Sequence, residues 1–206
     1  MMDISVYGIG KHKPQKVIVT KSKVRKQSIG LNDDILQVKP KLSPIVICAS
    51  SECHVTPLDV GHRMIQYLGG VVGTLLEPSA GTGNLVSAAL NQGFDIKSIT
   101  AVERHYDLVQ AFNSRFEQGE LVARHQCFLD FSETAERYDY IIMNPPFKQV
   151  KLHVNAAKHL LNPNGVLVAL VPITFNDGDF ELLENLPNST FSLAKVNTKL
   201  IRYTQF

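Results

Sequence analysis

The chain has 206 residues, 44% hydrophobic and 19% charged, a composition that fits one soluble globular domain with an extension and excludes disordered and fibrous classes. Its longest apolar run, Val166 to Pro172, falls far short of the roughly 20 residues that cross a bilayer; with no basic start and apolar core in MMDISVYGIG, a cytoplasmic protein without membrane contact is expected. The net charge of +2 hides an asymmetry: residues 1–50 carry nine Lys/Arg against three Asp, a net +6, whereas the other 156 residues carry 12 basic against 16 acidic, a net −4.

The basic arm, residues 1–50, contains KVIVTKSKV, whose partial alternation predicts a short strand or hairpin. Such an arm suits phosphate binding, because each neutralised phosphate releases counterions, and Lys21, Lys23, Arg25 and Lys26 are its densest cluster. A solvated terminus is the plainer alternative. Pro40 and Pro44 mark a junction before IVICAS. Cys48, Cys53 and Cys127 form no C-x-x-C pair, and Cys48, Cys53 and His54 are poorly spaced for a metal, so buried thiols are expected and no metal.

From residue 51 the main domain begins. In VTPLDVGHRMIQYLGG, Thr56 is expected to cap a helix, with Pro57 in its first position and Asp59 in its first turn. Val60, Met64 and Leu68 form its apolar stripe before Gly69 and Gly70 end it. Strand and helix then alternate: VVGTLLEP a strand, Asn84 to Asn91 a helix ended by Gly93, SITAVE a strand and HYDLVQAFNSRFE a helix. HQCFLDF and YDYIIMN are expected as strands, VKLHVNAAKHLL as a helix and GVLVALVPI as a strand. DFELLENL is expected as a last helix, with TFSLAKV and KLIRYTQF as a closing pair of strands. Repeated strand–helix units imply a Rossmann-like open α/β sheet, mostly parallel, of about seven strands with helices on both faces.

In such a sheet ligands bind beyond the C-terminal strand ends. Four polar features fall there. In LLEPSAGTGN, Glu77 and Pro78 leave the strand, and Gly81 and Gly83 let the backbone turn and approach a ligand. The third glycine of G-x-G-x-x-G is missing and no Gly-Lys-Ser/Thr follows, so this is neither a dinucleotide fingerprint nor a phosphate loop. The acid would repel a pyrophosphate and attract an ammonium. Glu103, 22 residues after Gly81, can accept both hydroxyls of a ribose. Asp130, expected to end the third strand with Phe131 behind it, could hold an adenine amino group at its edge while Phe131 covers the face. Asn144, Pro145, Pro146 and Phe147 end the fourth strand abruptly, since neither proline has an N–H for the ladder. Singly, a strand-end acid is more often a cap or a solvated charge, and NPPF alone would be a turn.

Together EPSAGTGN, VERH, LDF and NPPF, with HVTP as a helper, resemble the amino-directed S-adenosylmethionine-dependent methyltransferases, especially the adenine-N6 DNA enzymes, over about residues 54–175. The resemblance implies that Glu77, Ser79, Gly81 and Gly83 hold the methionine part of the cofactor, with Thr56 at its end and Asn144 also among the cofactor-binding residues. It implies Glu103, with Arg104 beside it, for the ribose, and Asp130 with Phe131 for the adenine. Asn144 and the Pro145 carbonyl would draw the two N–H groups of a target amine out of the ring plane, Pro146 would stiffen the corner, and Phe147 would stack on the base. The implied substrate is adenine N6 in nucleic acid, DNA ahead of RNA. Glutamine-N5 methylation of protein and a non-catalytic binder of cofactor and nucleic acid are the alternatives. Residues 51–206 leave little room for a recognition region, so target choice is expected from the arm, from a recognition subunit or homodimer partner, or is low.

Overall fold

The computed structural model describes residues 15–17, 45–47, 55–116, 121–191 and 197–206. Lys21, Lys23, Arg25, Lys26, Cys48, Cys53 and His54 lie outside them. Two short strands in the first 50 residues, β1 (Gln15–Val17) and β2 (Ile45–Ile47), pair antiparallel.

The main sheet has seven strands: β3 (Leu75–Glu77), β4 (Ile99–Glu103), β5 (Arg124–His125), β6 (Tyr138–Met143), β7 (Leu161–Pro172), β8 (Glu181–Leu186) and β9 (Thr198–Thr204). Their order across the sheet is β5-β4-β3-β6-β7-β9-β8. The five strands from β5 to β7 pair parallel, and β9 pairs antiparallel with both β7 and β8. The chain runs outward from β3 through β4 to β5, then returns to place β6 on the other side of β3. That reversal opens a crevice at the C-terminal ends of β3 and β6, the place where this class of sheet takes its ligands.

Period-two alternation distributes the core. Leu75, Ile142, Val168, Leu170 and Leu200 point to one face, and Leu76, Ile141, Met143, Leu167, Ala169 and Ile201 to the other. The first face packs on α1 (Leu58–Gln66), α2 (Asn84–Gln92) and α3 (Tyr106–Arg115), through Met64, Ile65, Val86 and Phe112 among others. The second packs on α4 (Phe128–Ser132) and α5 (Val150–His159), through Phe128, Phe131, Val154 and Ala157. Each Val, Leu, Ile, Phe or Met side chain among them taken fully from water is worth roughly 1.5–3 kcal/mol.

Three expectations are corrected. HQCFLDF is no strand: β5 is two residues long, and Phe128 and Phe131, three apart, both turn into the core from α4. The spacing is helical, and burying both rings at once decides the conformation. DFELLENL is the edge strand β8, whose backbone pairs with β9 while Glu184 binds Arg63 of α1 at 2.9 Å and Glu181 binds Arg202 at 2.7 Å. A weak helical pattern yields there to an open sheet edge. Thr190 and Phe191 belong to no strand, and the rest of TFSLAKV lies outside the described residues; the closing pair is therefore β8 and β9.

Candidate active site

One cavity of about 320 Å³ occupies the crevice, a size at the lower end of small-ligand sites. Thr56, Glu77, Thr82, Glu103 and His153 line it, five of the seven buried polar or charged side chains among the described residues. Polar groups taken out of water need partners, so their gathering around one space marks it as a binding site.

The loop after β3 is built on backbone geometry that glycine allows. Gly81 has φ 53° and Gly83 φ 84°, both in the left-handed region. A Cβ on Gly83 would come within 2.5 Å of the Phe116 ring, so the loop presses on the aromatic pair Phe112–Phe116 of the α3 end. Gly83 thus shapes the loop from behind and does not itself line the cavity. The loop is tied to β4 by Ala80 N donating to the Val102 carbonyl at 2.9 Å, and by Gly81 N donating to Glu103 Oε2 at 2.9 Å. Glu103 accepts a second backbone bond from His105 N at 2.8 Å. A carboxylate has about four lone-pair sites, so two remain for a ligand's hydroxyls.

Glu77 differs. It is 1% exposed and takes one backbone bond, from Ser79 N at 3.0 Å. Burial pushes its pKa up to about 8, the Ser79 bond pulls the other way, and the neighbouring charge of Glu103 raises it further. A carboxyl held neutral in this way ionises when a cation arrives. This is the observation that fits a ligand carrying an ammonium and a sulfonium.

Across the crevice, β6 delivers Asn144. Its Nδ2 donates to Thr56 Oγ1 at 3.0 Å. Thr56 is therefore no helix cap: α1 starts after Pro57 with no side-chain cap, and the hydroxyl holds Asn144 instead. The Thr56 carbonyl accepts from Asn84 Nδ2 at 2.8 Å, and Arg115 Nη1 donates to Asn84 Oδ1 at 2.6 Å and to the Thr82 carbonyl at 2.9 Å. One hydrogen-bonded chain thus joins α3, the glycine loop, the segment before α1 and Asn144.

Thr56, Glu77, Ser79, Gly81, Glu103, Arg104, Asn144 and Pro146 all line the cavity. Pro145 and Phe147 do not; Pro145 is buried, and Phe147 is half-buried against the core of the first face. Asp130 is exposed on α4, and Phe131 is buried with Arg124 over its ring at 5.5 Å, so neither reaches the cavity. The expected adenine-holding pair is displaced because the strand meant to carry it ends at His125. The aromatic ring present there is Phe128, three residues earlier. Sequence reading also missed His105, His153, Lys148 and Gln149 on the lining. The i, i+3 spacing of Phe128 and Phe131 was a signal for α4; nothing in the sequence singled out the histidines. Burial lowers the pKa of both, and Arg104 lowers that of His153 further, whereas Glu103 raises that of His105.

Among the described residues no group of three His, Cys, Asp or Glu could hold a metal, and no helix is long and apolar enough to cross a membrane.

The sequence profile of the methyltransferase small domain matches residues 56–192. No curated protein matches the chain. Among solved structures, the M protein of the type I restriction enzyme EcoKI is similar at TM-score 0.62 and 16% identity, over 75% of this chain and 44% of that one. The Thermus thermophilus 16S rRNA N2 G1207 methyltransferase, solved with AdoMet and guanosine, is similar at TM-score 0.58 and 20% identity, over 74% and 44%. A Listeria monocytogenes protein assigned to the class I S-adenosylmethionine-dependent methyltransferases is similar at TM-score 0.58 and 18% identity, over 75% and 61%. The chain thus spans about half the length of these relatives, and at such identities the likeness is one of fold. With the sheet order, the switch-point cavity and its buried acids beside that profile match, the chain belongs to the methyltransferase small domain family and has the class I methyltransferase fold.

Proposed function

We propose that the chain methylates the exocyclic N6 amine of adenine in nucleic acid, DNA in the first instance, with low intrinsic sequence preference or with targeting by a partner. The observation that carries this reading is Asn144 at the cavity, following β6 in Asn-Pro-Pro-Phe, with its amide nitrogen held by Thr56. With Nδ2 so engaged, the atom of that amide able to accept an N–H is Oδ1.

The lone pair of an exocyclic ring amine is delocalised into the ring, which makes the nitrogen a poor nucleophile. Two acceptors that take its two N–H groups out of plane localise that pair. In this reading Asn144 Oδ1, on the cavity lining, is one such acceptor, and the two prolines after it fix the corner before the substrate arrives. The donor in this reading, S-adenosylmethionine, would supply a methyl group activated by its sulfonium. Glu77 would hold the cationic end of the cofactor and Glu103 its ribose. Methyl transfer would leave the positive charge on the amine, whose proton would pass to water, so the residues at the corner would have to orient the amine and not to deprotonate it. No committed base is needed for the attack itself. In duplex DNA the base has first to leave the stack. The supporting likenesses are to the EcoKI M protein, an adenine-N6 enzyme, and to an rRNA guanine-N2 enzyme, both acting on exocyclic amines.

The test is methyl transfer to DNA, RNA and protein fractions in parallel, followed by nucleoside analysis. N6-methyladenine in the DNA supports the reading. Label confined to RNA or polypeptide overturns the substrate assignment and points to the RNA or glutamine alternative.

A further inference from the structure

His153, on α5, is 5% exposed, lines the cavity, and lies with its ring 5.6 Å from that of Phe128 at 45°. Its Nδ1 is buried and without a hydrogen-bond partner among the described residues. The enclosed nitrogen leaves the Nε2 edge as the one through which the ring meets the cavity. An N–H buried without an acceptor costs more than a bare lone pair, which places the proton of the neutral ring on Nε2. Burial and the nearby Arg104 both disfavour a second proton. The ring is then a neutral donor facing the ligand.

The position of His153 says which part of the ligand it meets. Along the sheet edge, Glu77 ends β3, Glu103 ends β4, and Phe128 starts α4 directly after β5. If the cationic end of the donor lies by Glu77 and the ribose by Glu103, the base lies by Phe128 and His153. Asp130 is exposed on α4 and off the cavity, so no carboxylate of that helix serves the base. We propose that His153 is a cofactor-binding residue whose Nε2–H donates to a ring nitrogen of the donor's adenine. This rests on the cofactor assignment made above. It goes beyond it by giving adenine recognition to a neutral imidazole where a carboxylate was expected.

The experiment is calorimetric binding of S-adenosylhomocysteine and its 1-deaza, 3-deaza and 7-deaza analogues to the unchanged protein, to His153→Leu and to His153→Gln. A neutral hydrogen bond corresponds to roughly three- to tenfold in affinity. The unchanged protein is expected to bind one of the three analogues weaker by that factor. His153→Leu should bind the parent weaker by the same factor and treat that analogue and the parent alike, whereas His153→Gln, whose amide also donates, should keep part of the discrimination. The proposal is overturned if the unchanged protein binds all three analogues as tightly as the parent, or if the discrimination survives intact in His153→Leu. The first arm needs no variant, so a folding defect cannot mask the result. Failure of the unchanged protein to bind S-adenosylhomocysteine at all would overturn the cofactor assignment itself, an outcome distinct from the other two.

Discussion

Glu77, with its pKa raised to about 8, is mostly the neutral acid in the free protein at pH 7, and in the proposed site the ammonium of a bound ligand would have to ionise it. S-adenosylhomocysteine binding at pH 7 should therefore release about one proton, measurable as a dependence of calorimetric enthalpy on buffer ionisation heat. Glu77→Gln should abolish that release and weaken binding about 10- to 100-fold, the range for a charged hydrogen bond. The same group sets a stability trend in the free protein. A carboxyl raised above its unfolded value of 4.5 favours the folded state fully at low pH, and that contribution is lost as pH rises from about 4.5 through about 8. In urea titrations, Glu77→Gln should accordingly gain on the unchanged protein over that window and level off above it. Asn144 is proposed to act on the substrate instead. Asn144→Ala removes an acceptor for the target amine and leaves the two cavity acids in place, so methyl transfer should fall roughly 10²- to 10³-fold, as when one preorganised bond to a reacting group is removed. Binding of S-adenosylhomocysteine should change little. Transfer that survives Asn144→Ala would show that the amine is held elsewhere.

At the level of elements, the decisive piece is the turn between β3 and α2. It satisfies its backbone through β4 and Glu103, and it closes on α3 through Gly83 and the Phe116 ring. Gly83→Ala would need a left-handed φ, costing roughly 1–2 kcal/mol, and would also drive its Cβ against Phe116. Its denaturation midpoint should drop accordingly, and binding should weaken because the Gly81 N–H to Glu103 bond shares the loop. An alanine that left both unchanged would show that the loop can relax away from α3. Other elements differ in how far their own residues specify them. The α2, α3 and α5 helices and the β4 and β6 strands stand where periodicity and end signals place them, because each pairs a clear pattern with a stop: Gly93 caps α2 at φ 107°, and Pro145 stops β6. Where pattern and stop were weak, in β5 with α4 and in β8, neighbouring packing chose the conformation.

On the scale of the molecule, the sheet reversal brings Glu77, Glu103 and Asn144, from three different strands, to one cavity. The proposed binding of nucleic acid belongs to this scale as well, since charge is distributed unevenly between the first 50 residues and the rest. Charge reversal at Lys21, Lys23, Arg25 and Lys26 should weaken DNA binding across all sequences and flatten its dependence on salt, by about one unit of slope for each phosphate that the arm no longer neutralises. Unaltered affinity and slope in a salt titration would remove the arm from the interface.

The sequence by itself determined the class of sheet, the glycine turn with its acid, the second acid at Glu103 and the Asn144 corner. Each of these is local chemistry: a strand end, a residue type and a turn only a few residues can make. Tertiary structure alone decided which ring and which polar group stand at the far end of the cavity. Phe128 and His153 come from α4 and α5, 25 residues apart in sequence, and are brought together by burying one face of the sheet. It also decided that Thr56 holds Asn144, 88 positions away, instead of capping its own helix. Side chains that meet only because a core closes over them leave no periodic trace in the chain.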